Sequence, residues 1–189
     1  MTAPAGVARL FVGLPVPKAV ARMLARFAPP AGQGVRPIAA SDMHLTLHFL
    51  GSMETAPVSE SLHAVAAAAF SLRLERLGVF APRGRRRILW VGVEPAAELL
   101  SLHELTATAL GAVGYEPERR AYKPHITLAR LSGEAAPAVL EAFESQPFGD
   151  AGHEFPCRRF ALYESVTAPA GARYRIIESF PLGAAARPE

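Results

Sequence analysis

A single cysteine, Cys157, rules out an intrachain disulfide and any zinc site built on several thiolates. With no partner pattern for a nucleophilic thiol nearby, it reads as a small buried or half-buried residue. Long apolar runs are equally scarce. Stretches such as "ALGAVGY" (109–115) are too short, and too punctuated by glycine, to cross a bilayer. The opening "MTAPAGVARLFVGLPVP" lacks the basic start and extended apolar core of a signal peptide, so we expect a soluble cytoplasmic protein that engages no membrane. The sequence has no G-x-x-x-x-G-K-[ST] loop and no acidic cluster with divalent-ion spacing. "HELTA" (103–107) begins like a zincin helix but has Ala107 where the second histidine must stand. Neither a metal nor a cofactor is expected.

What is present describes a globular chain. Half of its residues are hydrophobic and 20% are charged, and 189 residues suit one domain, or two small lobes sharing a core. A net charge of +3 permits an anionic substrate without demanding one.

Apolar periodicity and turn residues divide the chain into strands and helices. "RLFVGLPV" (9–16) is a first strand closed by prolines, and 18–28 has helical spacing. "PPAGQGVRP" (29–37) is loop chemistry. A strand containing His44 comes next, stopped by Gly51, and 56–70 reads as a second helix. Residues 70–80 and 86–94 both alternate, and the basic "APRGRR" between them suggests an antiparallel hairpin. A long helix over 96–115 precedes a strand at His125, and "APAVLEAFESQ" (136–146) is a fourth helix. "FPCRRFALYES" and "ARYRIIESFPLG" return to strands. Hairpin signals between strands favour an α+β fold with antiparallel sheets. We read residues 1–189 as one domain of two pseudo-symmetric lobes, each contributing one H-x-T strand.

Those two strands carry the chemistry. "MHLTLHFLG" (43–51) alternates so that His44, Thr46 and His48 share one face and Leu45, Leu47 and Phe49 the other. "PHITLAR" (124–130) repeats the figure with His125 and Thr127. With six histidines and seven threonines in the chain, chance supplies only about 0.2 such tripeptides. A lone strand histidine is more often a surface residue than a catalyst; a matched pair is not so explained. Residues i and i+2 lie about 7 Å apart on one face, so each unit projects an imidazole beside a hydroxyl. Two units facing across a cleft surround one small group with two proton-transfer side chains and two short donors, which suits a phosphoryl group. His44 and His48 are about 13 Å apart on a strand, too far to share a metal.

Other residues carry two readings each. Arg130 could reach the phosphate as a fixed cation, but strict alternation points it away from His125, so a bulge or the strand end must turn it in. His48 has the parity of the cleft and is placed at its rim. The "RGRRR" stretch (83–87) could track a nucleic-acid backbone or be a solvated loop. Tyr122 and Lys123 could touch a base or phosphate, or shape the strand entry. Trp90 is assigned to the core, and His63, His103 and His153 to the surface or a helix face.

"HLTLHFLG" and "PHITLAR" resemble the paired motifs of the two-histidine phosphoesterase superfamily. "ARLFVGLPVP", "ILWVGVE", "LGAVGYEPERRAYKPHITLARL" and "FALYESVTAPAGARYRIIESFPL" extend the resemblance over roughly residues 8–182, to the RNA 2′,3′-cyclic phosphodiesterases once named 2′–5′ RNA ligases. The resemblance implies a bilobal, pseudo-two-fold fold with concave antiparallel sheets lining a central cleft and helices outside. It also implies metal-independent hydrolysis of a 2′,3′-cyclic phosphate at an RNA end to a 2′-phosphate, with weak, reversible 2′–5′ ligation in some members. On that basis His44 and His125 are the catalytic pair, exchangeable as acid and base, and Thr46, Thr127 and Arg130 bind the phosphate of an RNA end or a cyclic nucleotide. With no sustained heptad pattern and no spare apolar helix face in the sequence, we expect a monomer without an obligate protein partner. A non-catalytic nucleotide-binding module with the same cage is the rival reading. Gly34 stands where the resemblance leads one to expect an aromatic, and His48 where lysine is common.

Overall fold

Among the described residues, nine strands form one antiparallel sheet, eight along its main path, four on each side of the centre, and a ninth paired off that path. The computed structural model describes residues 6–82, 84, 86–135, 137–149, 153–168 and 171–183. Its elements are β1 (Val7–Pro15), α1 (Lys18–Leu24), β2 (Val35–Pro37), β3 (His44–Glu54), α2 (Thr55–Leu62), β4 (Phe70–Phe80), β5 (Arg87–Val93), α3 (Ala97–Gly111), β6 (His125–Leu131), α4 (Pro137–Glu144), β7 (Glu154–Cys157), β8 (Arg159–Ala168) and β9 (Gly171–Pro181). The strand order is β7-β4-β5-β6-β3-β1-β8-β9, with β2 paired to β6. The centre of that order is the β6–β3 junction, so the two strands bearing H-x-T meet on the two-fold, each flanked outward by three more.

The α+β expectation holds. The 70–80 and 86–94 hairpin is the antiparallel β4–β5 pair. Several boundaries differ. The helix expected over 56–70 stops at Leu62, because Ala68 and Ala69 are drawn into pairing with Gly183. The 18–28 and 96–115 helices are likewise shorter. The run "FPCRRFALYES" breaks at Arg158 into two strands on opposite wings, β7 beside β4 and β8 beside β1. Gly51 does not end the third strand, which continues to Glu54.

One face of the sheet is the core. Leu45, Leu47, Ile126 and Leu128 from the central strands pack with Leu24 of α1, Val58 and Leu62 of α2, Leu99, Leu102 and Leu110 of α3, and Phe143 of α4. Each such fully buried leucine contributes on the order of 2 kcal/mol by its removal from water. The helices therefore cover one face and leave the other open as a concave surface. A smaller cluster of Phe11, Ala161, Tyr163 and Tyr174 lines part of that open face. Gly13 lets β1 lie close to β3 there, since a Cβ on it would come 2.7 Å from the Leu45 carbonyl oxygen.

Candidate active site

The H-x-T strands pair in register at Leu45, opposite Ile126. Both residues are core, so their neighbours His44, Thr46, His125 and Thr127 lie half-buried on the concave face. The structure thus brings together four of the five residues that alternation put on one face.

Past the threonines, alternation fails on both strands in the same way. Gly13 pairs with Thr46 and Val12 with His48, which leaves Leu47 without an opposite; Trp90 pairs with Thr127 and Leu89 with Ala129, which leaves Leu128 without one. Each extra residue is a β-bulge that reverses the parity of the strand beyond it. On β6 the bulge turns Arg130 onto the face of His125, as the sequence required for a functional Arg130. On β3 the same device overturns the placement of His48. That residue is 3% exposed and lies in the core, while Phe49 comes to the concave face at 57% exposure. Phe49 is the positional counterpart of Arg130, and superimposing "HLTLHF" on "HITLAR" would have found it.

Both motif imidazoles are held alike. His44 Nδ1–H donates to the Asp42 carbonyl and His125 Nδ1–H to the Lys123 carbonyl, each at 2.7 Å. A backbone carbonyl can only accept, so each ring keeps its proton on Nδ1, and Nε2 has no hydrogen-bond partner among the described residues. Burial pushes His44 down to about 4, against the Asp42 hydrogen bond, with the Arg130 and His125 charges adding to the fall. Burial also lowers His125, with Arg130 contributing. Arg130 therefore acts on both rings, and in the free protein both are neutral at pH 7.

Aromatic walls fix the rings. Phe11 lies 4.6 Å from His44 between ring centres and Tyr174 meets His44 edge-on at 4.8 Å; Phe80 meets His125 edge-on at 4.9 Å. The β9 strand is tied down beside His44, where Arg173 Nε donates to the buried Asp42 carboxylate at 2.9 Å. Sequence reading missed Phe11, Tyr163, Tyr174 and Phe80, because only strand pairing reveals which aromatic faces the cleft.

Trp90, assigned to the core, is instead half-buried on the open face. Its position opposite Thr127 puts it there, against Phe80 and beneath Arg76. Its indole Nε1–H is buried without an acceptor among the described residues. Tyr122 shapes the strand entry: its hydroxyl donates to the Thr46 carbonyl at 3.0 Å, tying the segment that leads into β6 to β3. His103 stacks on Tyr122 at 4.0 Å and packs at 4.3 Å on His48, which also engages Thr106, Tyr115 and the His103 carbonyl. The departures at His48 and Gly34 thus lie off the cleft, one in the core and one in the turn before β2. Cys157 is buried, and burial pushes its thiol up to about 11, which removes it as a nucleophile. Of the "RGRRR" stretch, Arg83 and Arg85 lie outside the described residues. His63 and His153 lie far out on the surface.

Among the described residues, no three His, Cys, Asp or Glu side chains gather as a metal site, and no helix is long and apolar enough to cross a membrane.

Known proteins share this chain's sequence pattern and fold. The 2′-5′ RNA ligase superfamily model matches residues 15–168. An RNA 2′,3′-cyclic phosphodiesterase of Geobacillus stearothermophilus is 33% identical over 91% of this chain, which spans 56% of that protein's length. One from Escherichia coli is 28% identical over 92% of this chain and 96% of its own. The crystal structure of E. coli LigT complexed with 3′-AMP superimposes with a TM-score of 0.75 at 25% identity, covering 94% of this chain and 99% of that one.

Proposed function

This chain belongs to the 2′-5′ RNA ligase superfamily, and from that membership we propose that it hydrolyses 2′,3′-cyclic phosphate ends of RNA to 2′-phosphates. The observation that carries the reading is the meeting of two H-x-T strands on the two-fold, both imidazoles tied at Nδ1 and open at Nε2.

Water attacks the cyclic phosphorus in line with the O3′ it displaces. His125 Nε2 takes the proton from water as the P–O bond forms. His44 delivers a proton to O3′ as the opposite P–O bond breaks, leaving a 3′-hydroxyl and a 2′-phosphate. The two rings are tied identically at Nδ1, so either can serve as base or acid, and the step is written with His125 as base and His44 as acid. The substrate supplies what the free site lacks, since a bound phosphodiester anion favours the imidazolium form. Thr46 and Thr127 donate to the non-bridging oxygens, and Arg130 balances the charge that grows on them. Fixed donors in a half-buried site need little reorganisation as that charge develops.

Every step uses side chains of this chain, so the reaction proceeds without a metal. A 5′-hydroxyl in place of water turns the same two imidazoles to 2′–5′ ligation. We place the protein in the cytoplasm as a monomer of two lobes around one site.

The test is an RNA oligonucleotide ending in a 2′,3′-cyclic phosphate, incubated in EDTA and analysed at its end groups. A 2′-phosphate with a free 3′-hydroxyl supports the proposal. A 3′-phosphate, or loss of activity in EDTA, overturns it.

A further inference from the structure

A second guanidinium stands beside Arg130 with no assigned task. The loop residues 29–37 end in the short strand β2, whose Arg36 lies directly opposite Arg130 in the antiparallel pairing, with Val35 opposite Leu131 and Pro37 opposite Ala129. Directly opposed residues share a face, with side chains starting about 5 Å apart. Val35 and Leu131 are both buried, so Arg36 and Arg130 both point to the concave face.

The backbone under Arg36 is fixed on both sides. Ser132 N–H donates to the Gly34 carbonyl, and Ile38 N–H to the carbonyl of the bulge residue Leu128, each at 2.8 Å. Gly34 has a φ of +70°, and a Cβ there would come 2.3 Å from the Ala135 nitrogen, so the turn accepts only glycine. The segment that secures the bulge turning Arg130 inward also places Arg36 beside it.

Like charges directly opposed across a sheet destabilise it. Neither arginine has an acidic partner among the described ion pairs. A cyclic phosphate carries one negative charge and is already matched by Arg130 and the one imidazole that is charged in catalysis. Arg36 lies one strand spacing further out, where β3 has parted from β6 and β2 takes its place on the edge. A second negative charge at that remove belongs to a longer substrate.

We propose that Arg36 binds the phosphodiester one step 5′ of the reacting nucleotide, so that the site selects RNA chains over cyclic mononucleotides. This rests on the hydrolysis proposed for the site and adds a specificity-determining residue to it.

The test compares adenosine 2′,3′-cyclic phosphate with the dinucleotide ApA ending in the same group, in wild type, Arg36→Gln and Arg36→Lys. Wild type should favour the dinucleotide in kcat/KM, chiefly through KM. Arg36→Gln should cut that preference by about tenfold or more, the scale of one charged hydrogen bond, and Arg36→Lys should keep most of it. The salt dependence of log KM for the dinucleotide should flatten by about 0.7 in Arg36→Gln, as for one lost single-strand phosphate contact. An unchanged preference, or equal losses on both substrates, overturns the proposal. Equilibrium binding of the two 2′-phosphate products reads Arg36 without turnover. If wild type hydrolyses neither substrate, the hydrolytic reading fails. A selective tenfold loss of dinucleotide binding in Arg36→Gln would still support the second phosphate contact, and no selective loss would end it.

Discussion

His44 and His125 are held by the same bond, Nδ1–H to the carbonyl two residues earlier in the chain, at the same 2.7 Å. Burial depresses His44 to about 4 and lowers His125 as well, so the free site holds both rings neutral at pH 7. Catalysis needs one ring charged and one neutral. The bell of kcat/KM should therefore centre below 6.5, the ordinary imidazole value, and its alkaline limb should fall about tenfold per pH unit through neutrality. The bell of kcat should lie at higher pH, because the bound anion favours the imidazolium. Steady-state rates from pH 4 to 9 check both, and coincident or flat profiles would count against the pair.

Arg130→Gln should lower kcat by about 10²–10³, the scale of one lost fixed donor at a developing charge. It should also move the kcat/KM profile to higher pH, because the Arg130 charge lowers both imidazoles. A rate loss with an unmoved profile would place Arg130 away from the rings.

His48 tests the core. Burial pushes it down to about 4, while the unfolded chain protonates it near 6.5. Its folded pKa is the depressed one, so its contribution is fully present above 6.5 and is lost as pH falls towards 4, up to roughly 3 kcal/mol. Thermal unfolding of His48→Gln should therefore lose less stability than wild type between pH 6.5 and 4. Equal losses would show that His48 is hydrated and can protonate in place.

Tyr122→Phe removes only the hydroxyl that holds the Thr46 carbonyl. We expect a stability loss of about 1 kcal/mol and a several-fold fall in kcat with little change in KM. A change in KM alone would mean that Tyr122 meets the substrate and does not position the strand.

Alternation along "MHLTLHFLG" and "PHITLAR" was enough to select His44, Thr46, His125 and Thr127, because a half-buried strand repeats every second residue. It failed at His48 because a bulge belongs to a pair of strands, not to one. Leu47 goes unpaired only against β1, and Leu128 only against β5, with Ile38 capping its carbonyl. β2 went unread for a similar reason, since three residues in loop chemistry become a strand only by pairing with β6. The alanine-rich end of 56–70 has strong helix propensity, but the bonds of Ala69 and Gly183 override it. Trp90 has the composition of a core residue and the register of a cleft residue, and the register decided.

The mechanism stands or falls with the two imidazoles acting as one acid–base pair. The decisive measurement is single-turnover hydrolysis of an RNA 2′,3′-cyclic phosphate end, in EDTA, by wild type, His44→Ala, His125→Ala and the double variant. Each single variant should lose about 10²–10⁴ in rate, and the double variant little more than either, as for groups that act as a unit. A single variant that keeps near-wild-type turnover would contradict the mechanism.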